Sequence, residues 1–304
     1  RAHSTVLPSV FLKGRYYMTQ EQNLLTGSVT NKLIQFAFPL FLANLLQALY
    51  NVVDMLVVGK IVGAIGLAAI SNASMLCFII NSLCIGLTMG GSVLVAQYKG
   101  ADDQKGQRDT IGMLFVLSLA ASVVVTMLGL VVYEPLFRAL DVPAEAYPDA
   151  CSYMEIICWG TVFVFGYNTV CSILKGLGDS KTPLFFVGVA TIFNVLLDVL
   201  LVGPCSMGTV GAAWATITAQ GVSFVGSLVY LRRHQLSVSP RKIKFRREIL
   251  LAICKIGLPT AIQMVVVNAA YLLVTGMLNP FGTSVAAASG VGLKINTFAG
   301  MHCW

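Results

Sequence analysis

Residues 33–59, LIQFAFPLFLANLLQALYNVVDMLVVG, decide the fold class. The segment is apolar and longer than the roughly 20 residues that a helix needs to cross a bilayer. It nevertheless carries Asn44, Gln47, Asn51 and Asp54, at spacings of three, four and three that place them on one helical face. A carboxylate at the centre of a membrane helix costs roughly 2.5–3.5 kcal/mol. We therefore expect Asp54 to have a function that offsets this cost.

Composition extends this interpretation to the whole chain. Of its 304 residues, 57% are hydrophobic and 11% are charged, which predicts an all-α integral membrane protein. The eight cysteines form no C-x-x-C pair, and the three histidines lie in the termini and one loop. We therefore expect no disulfide framework, no metal cluster and no cofactor. The net charge of +7 is explained by the loops, so no nucleic-acid partner is expected.

The apolar pattern predicts seven complete membrane spans and part of an eighth. They lie at residues 33–59, 66–97, 110–133, 151–174, 183–204, 210–231, 249–278 and 285–304. Lys and Arg concentrate in the loops after the second, fourth and sixth spans, whereas the loop after the third is acidic. By the positive-inside rule, this alternation predicts a multi-pass protein of the cell membrane with a cytoplasmic N-terminus.

Four regions are predicted along the chain. They are a non-native or disordered leader at 1–17, an N-terminal six-helix lobe at 18–231, a basic cytoplasmic linker at 232–248, and the start of a second lobe at 249–304. We interpret the linker mainly as solvated, with lipid-headgroup contact as the alternative. The last span still continues at Trp304, so we expect a truncated second lobe and no transport by these residues alone.

An internal repeat supports two lobes. Residues 36–69 resemble residues 256–288, with Pro39 aligned to Pro259 and a period of about 220 residues. Six spans separate the copies, so both enter the membrane from the same side, as in parallel-repeat transporters. Pro39 predicts a kink that could be static or a hinge. Gly86 with Gly90 forms a G-x-x-x-G pattern that predicts close helix packing.

A second acidic group lies in the fifth span, where Asn194 and Asp198 are one turn apart. Neither this span nor the first contains Lys or Arg, and Asp54 and Asp198 both come late in outward-running spans. In a shared cavity, burial and mutual repulsion would favour proton uptake, and neighbouring neutral oxygens would also suit Na⁺. Other polar groups in the spans are Asn168, Thr216 and Gln220, each of which could instead simply hydrogen-bond a neighbouring helix. The part played by Lys294 stays open.

Three motifs resemble those of the multidrug and toxin extrusion (MATE) transporters. They are YNVVDMLVVGK at 50–60, AQYKGADD at 96–103 and KGLGDSKTP at 175–183. The similarity covers residues 19 to about 301 and is greatest to the bacterial branch related to the DNA-damage-inducible F proteins. It implies a twelve-helix fold of two six-helix lobes, of which this chain holds the first lobe and about two further helices. It also implies export of organic cations or other drugs in exchange for H⁺ or Na⁺.

The resemblance also implies roles for individual residues. The residues that it implies for cation or proton coupling are Asp54, Asp198, Asn194, Gln47, Asn168 and Thr216. It also implies that Pro39 is the hinge and that Asp54, Asn194 and Asp198 could bind Na⁺ transiently. Cys171 departs from the pattern, because some relatives carry a second polar amide there. The implied partners are small cationic drugs and the lipid bilayer, and the implied state is monomeric.

Three alternatives to an antiporter fit the sequence less well. A lipid-linked oligosaccharide flippase of the same superfamily would need basic residues in its cavity for phosphate, and the first six spans contain almost none. A membrane-embedded enzyme would need a nucleophile and base or a metal cluster, but no span holds a histidine cluster, so no enzyme is expected. A receptor is disfavoured by the parallel repeat.

Overall fold

The structure is a computed structural model, which describes residues 28–233 and 245–300. Its helices are α1 Val29–Ile61, α2 Ala64–Gly100, α3 Gln104–Ala139, α4 Tyr147–Gly176, α5 Lys181–Val202, α6 Gly208–Arg233, α7 Arg247–Leu278, a 3₁₀ turn Asn279–Phe281, and α8 Thr283–Gly300. No strand occurs in these two ranges. The predicted leader and most of the basic linker lie outside the described residues, as does the side chain of Lys294.

Seven of these helices are long and apolar enough to cross a membrane, which confirms the predicted class. Each predicted span falls on one helix, with boundaries that differ by a few residues. Large apolar side chains, among them Leu119, Val131, Leu196 and Met277, point outward and are more than half exposed. In water such a surface would be unfavourable, whereas lipid tails match it.

Two of the recognised motifs start helices. In AQYKGADD, Asp103 Oδ1 accepts hydrogen bonds from the backbone N–H groups of Lys105 at 3.1 Å and Gly106 at 2.9 Å, which caps α3. In KGLGDSKTP, Asp179 Oδ1 accepts in the same way from Lys181 at 3.1 Å and Thr182 at 3.0 Å, at the start of α5. Both motifs therefore satisfy backbone donors that a helix leaves unpaired at its first turn.

Helix α2 is the centre of the packing. It contacts α3, α4, α7 and α8, and its apolar window is half buried. We call α1–α6 the first lobe. Within it, α4 packs against α2, α3 and α6, and α6 packs against α5. Helix α1 has little contact with α2 and packs mainly along α5, which brings the first and fifth spans together.

The G-x-x-x-G pattern of α2 lies against α7. A Cβ atom added at Gly86 would overlap the backbone of Ala261, and one added at Gly90 would overlap the carbonyl of Ile253. On α7, a Cβ at Gly257 would lie 2.8 Å from the carbonyl oxygen of Gly86. The backbones of the two helices are thus in contact, which confirms the prediction of close packing.

Gly86→Ala tests this contact. The new methyl group meets backbone atoms that cannot rotate away, so we expect a loss of about 1–3 kcal/mol, seen as a lower midpoint of thermal unfolding in detergent. Gly188→Ala on α5 is the matched control, because no atom lies within 4 Å of its added Cβ. That variant should be neutral or slightly more stable, since alanine favours a helix by up to about 1 kcal/mol. Equal midpoints for the two variants would contradict the close α2–α7 packing.

Candidate functional site

A cavity of about 330 Å³, including the space at its open side, lies among α1, α4, α5 and α6. Its polar lining includes Gln47, Tyr50, Tyr167, Asn194, Thr216 and Gln220, and the remaining wall is mostly aliphatic. The cavity belongs wholly to the first lobe. Apolar surface on which several polar side chains converge is typical of a small-molecule site.

Asp198 is completely buried on α5, and Asn194 lies one turn before it. In the amide orientation that satisfies both neighbours, Asn194 Nδ2 donates to Asp198 Oδ2 at 2.7 Å and its oxygen accepts from the Thr216 backbone N–H at 3.3 Å. The amide therefore connects the buried carboxylate to the cavity wall on α6. Asp198 Oδ1 has no hydrogen-bond partner among the described residues.

Asp54 on α1 is 7% exposed and close enough to Asp198 to act on it electrostatically. Tyr50, one turn earlier on α1, places its hydroxyl 3.3 Å from Thr216 Oγ1. The helical spacing that puts Tyr50 and Asp54 on one face of α1 thus directs both toward α5 and α6. The two carboxylates lie behind a polar layer of Tyr50, Asn194 and Thr216 that faces the cavity.

The other predicted residues are placed differently. Gln47 lines the cavity, but the side-chain amide of Asn168 donates to the carbonyl oxygen of Val164, in its own helix, at 2.8 Å, and Asn168 is not part of the lining. The other polar residues on the same face of α1 differ in their surroundings. Asn44 is exposed, and Asn51 donates to the backbone carbonyl of Gln47 at 2.8 Å. Sharing a helical face therefore did not give these groups the same surroundings.

Pro39 and Cys171 both lie inside unbroken helices, Pro39 in α1 and Cys171 in α4. Pro39 is buried, and α1 runs past it from Val29 to Ile61 as a single helix. Cys171 is buried with Tyr167 and Phe186, where it behaves as a small apolar residue. All seven cysteines within the described ranges are free thiols.

Aromatic residues are the part of the site that the sequence interpretation missed. Tyr50 and Tyr167 line the cavity, and Tyr153 of α4 is buried close enough to both carboxylates to interact with them electrostatically. The only signal in the sequence was the position of Tyr50, one turn before Asp54. Tyrosine is common in apolar spans, so its hydroxyl gave no warning of a polar site.

Membrane-crossing helices around a cavity, with two carboxylates buried beside it, are found in membrane transporters. The MatE family model matches residues 39–200, more than half of the chain. The chain therefore belongs to the MatE family, as its motifs predicted. The finer assignment to the DNA-damage-inducible branch stays a prediction.

Individual relatives agree with this family. "Probable multidrug resistance protein YpnP" of Bacillus subtilis is 33% identical over 89% of this chain and 61% of its own length. "Probable multidrug resistance protein NorM" of Thermotoga maritima is 26% identical over 94% of this chain and 62% of its own. The chain thus spans about three fifths of the length of these relatives.

Solved structures agree on the fold. A crystal structure of a MATE protein in complex with MaL6 superimposes with a TM-score of 0.82 at 25% identity, covering 93% of this chain and 64% of that one. An inward-facing multidrug resistance MATE family transporter gives a TM-score of 0.77 at 25% identity, covering 84% and 58%. The predicted fold, a six-helix lobe followed by two helices of a twelve-helix architecture, is confirmed by these likenesses.

A double-mutant cycle tests the amide–carboxylate contact. Asn194→Ala and Asp198→Ala should show a coupling energy of about 0.5–3 kcal/mol in the unfolding free energy, because each change removes the other's partner. Asn168→Ala is the control, since its amide bonds only within α4. Combined with Asp198→Ala, it should be additive within about 0.5 kcal/mol. Additivity of Asn194→Ala with Asp198→Ala would show that the two side chains do not interact.

Proposed function

We propose that the protein is a secondary antiporter that exports organic cations or other drugs in exchange for H⁺ or Na⁺. The observation that carries the proposal is the pair of buried carboxylates, Asp54 and Asp198, behind the polar wall of a cavity. Ionisable groups inside a membrane protein are expensive and usually mark an ion or substrate pathway. The printed names of the relatives, which describe multidrug resistance proteins, support drugs as the cargo.

The arrangement suits exchange by competition. An ionised carboxylate attracts an organic cation, while Tyr50 and Tyr167 offer aromatic surface that favours flat or cationic molecules. A coupling ion that neutralises the carboxylates removes this attraction and releases the drug. H⁺ would bind a carboxylate directly, and Na⁺ would be held transiently by oxygens of Asp54, Asn194 and Asp198, with Thr216 nearby. Because only one of the two cations is held well at a time, their movements are linked.

Alternating access to this cavity would require α1 to move. Helix α1 packs mainly along α5, and its interior proline removes one backbone hydrogen bond. Pro39 as a hinge would let the half of α1 that carries Gln47, Tyr50 and Asp54 change its position against α5. We further propose that the N-terminus is cytoplasmic, that the protein resides in the cell membrane, that it acts as a monomer, and that Asn168 supports the coupling site from α4.

A lipid-linked oligosaccharide flippase fits the cavity less well. Recognition of a phosphate-bearing lipid calls for Arg or Lys in the binding site. None of the residues that line the cavity is basic, and the ionisable groups nearest to it are carboxylates and tyrosines. The electrostatics of the first lobe therefore favour a cation over an anion.

Asp54→Asn in the natural full-length protein tests the antiporter. Removing the charge should lower ethidium efflux from cells by at least about tenfold, equivalent to roughly 1.4 kcal/mol of lost stabilisation. The protein should remain in the membrane, as measured by immunoblot. Asp141→Asn is the matched control: Asp141 is exposed after α3 with φ +47°, a conformation that asparagine tolerates, so efflux should be unchanged. Normal efflux by Asp54→Asn would exclude a coupling role for this carboxylate.

The coupling ion requires a separate measurement. Purified protein in vesicles would receive a proton gradient in one sample and a sodium gradient in another, with ethidium as the reporter. We expect one of the two gradients to drive ethidium transport by the wild type. The same gradient should drive no ethidium transport by Asp54→Asn. Ethidium transport at the same rate with and without either gradient would contradict secondary antiport.

A further inference from the structure

Two oxygen atoms of cavity-lining residues have no hydrogen-bond partner within the described part of the chain. They are the hydroxyl oxygen of Tyr167 on α4 and Oε1 of Gln220 on α6, and both atoms are buried. Tyr167 is 5% exposed, and the thiol of Cys171, one turn later on α4, offers its hydroxyl only a weak acceptor. Burying such a group without a partner is unfavourable, so each case in a native protein calls for an explanation.

Other polar side chains on the same two helices do have partners. On α4, Thr169 donates to the carbonyl oxygen of Phe165 at 2.7 Å. On α6, Ser223 donates to the carbonyl oxygen of Phe186 at 3.3 Å. The helices thus satisfy hydroxyl groups two or three residues away from Tyr167 and Gln220, while these two residues of the cavity wall stay unpaired.

The pair lies away from the carboxylates. Ser223, three residues after Gln220 on α6, contacts Phe186 near the beginning of α5, and Tyr167 packs against Phe186 as well. Asp198 lies near the other end of α5. The Tyr167–Gln220 pair and the polar layer in front of the carboxylates therefore occupy different ends of the cavity, with a separation of roughly 6 Å for each turn of helix between them.

The chemistry of the two groups suits a ligand with an N–H donor. A hydroxyl rotates about its C–O bond and a terminal amide turns about its last torsion, so both oxygens can be directed into the cavity. Oxygen atoms accept hydrogen bonds from the N–H groups of amines and of amino-substituted aromatic cations. Water in the open cavity can satisfy the same oxygens, so a ligand that displaces this water without replacing its hydrogen bonds loses affinity. An N–CH₃ group in place of N–H causes that loss.

We propose that Tyr167 and Gln220 select cations that carry an N–H donor at the end of the molecule remote from the carboxylates. The carboxylates supply a charge attraction that all cations share, whereas this pair distinguishes primary and secondary amines from fully alkylated ones. The inference rests on the proposed function, because it names the class of cation that the cavity accepts. A site built to hydrogen-bond its ligand rejects an analogue without the donor more strongly than an apolar pocket rejects an extra methyl group.

Two dyes with the same charge and the same ring system test the proposal. Thionine carries a primary amino group at each end of a planar tricyclic cation, and methylene blue carries dimethylamino groups at the same positions. Their dissociation constants are measured by equilibrium dialysis with the natural full-length protein in detergent at neutral pH. We expect the wild type to bind thionine at least about fivefold more tightly than methylene blue. Gln220→Met and Tyr167→Phe should each lower this ratio at least about twofold.

The variants separate hydrogen bonding from size. Methylene blue is larger by four methyl groups in every measurement, and Met and Phe keep approximately the shape of the side chains that they replace. Thr169→Val is the matched control, because it removes a hydroxyl that bonds within α4 and does not line the cavity, so both constants should be unchanged. Equal binding of the two dyes by the wild type, or an unchanged ratio in either variant, would overturn the proposal. Should one variant fail to fold, the other decides by itself.

A failure of the proposed antiport would be seen separately. The same protein in vesicles is tested for thionine transport under a proton or a sodium gradient, measured by the absorbance of the dye. If neither gradient drives transport but the affinity ratio falls in both variants, the antiport fails and the selective site stands. If a gradient drives transport but the ratio does not fall, the antiport stands and the selection by Tyr167 and Gln220 fails.

Discussion

The burial of two carboxylates inside an apolar bundle is the constraint on which the first lobe depends. Lipid offers no hydrogen bonds, so every polar group at that depth must find its partners within the protein. Asn194 and Thr216 supply part of this environment to Asp198, and Tyr50 extends it to α1. The packing of α1 along α5, which leaves it only slight contact with its neighbour α2, follows from the same requirement.

Most other polar side chains in the spans are satisfied locally. Thr88, Thr161 and Thr169 each donate to the carbonyl four residues earlier in their own helix, as Asn168 does. These side chains need no hydrogen-bond partner from a neighbouring helix. The polar groups around the cavity instead reach across helices. A carboxylate cannot bond to a carbonyl of its own helix, because it has no proton to donate when ionised.

This difference explains which predictions from the sequence succeeded. Spans are set by length and hydrophobicity, and these are local properties, so all the predicted spans appear as helices. Asp54 and Asp198 stood out because charge in a span is rare. An asparagine, in contrast, looks the same in sequence whether it bonds its own helix or a neighbouring one. In the sequence, Asn194 differs from Asn168 only by its position one turn before Asp198, and among the tyrosines only Tyr50 has a comparable signal, one turn before Asp54.

The internal repeat aligns α1 with α7, yet the two helices are packed differently. Helix α7 lies along α2, whereas α1 makes slight contact with α8, the corresponding partner in the repeat. With Pro39 aligned to Pro259, Phe41 of α1 takes the position that Ala261 occupies in α7. Ala261 allows the backbone of α2 to approach, and a phenylalanine at the same place holds a neighbour away. This difference in side-chain size accompanies the difference in packing, and Asp54 lies on α1, the helix that packs mainly along α5.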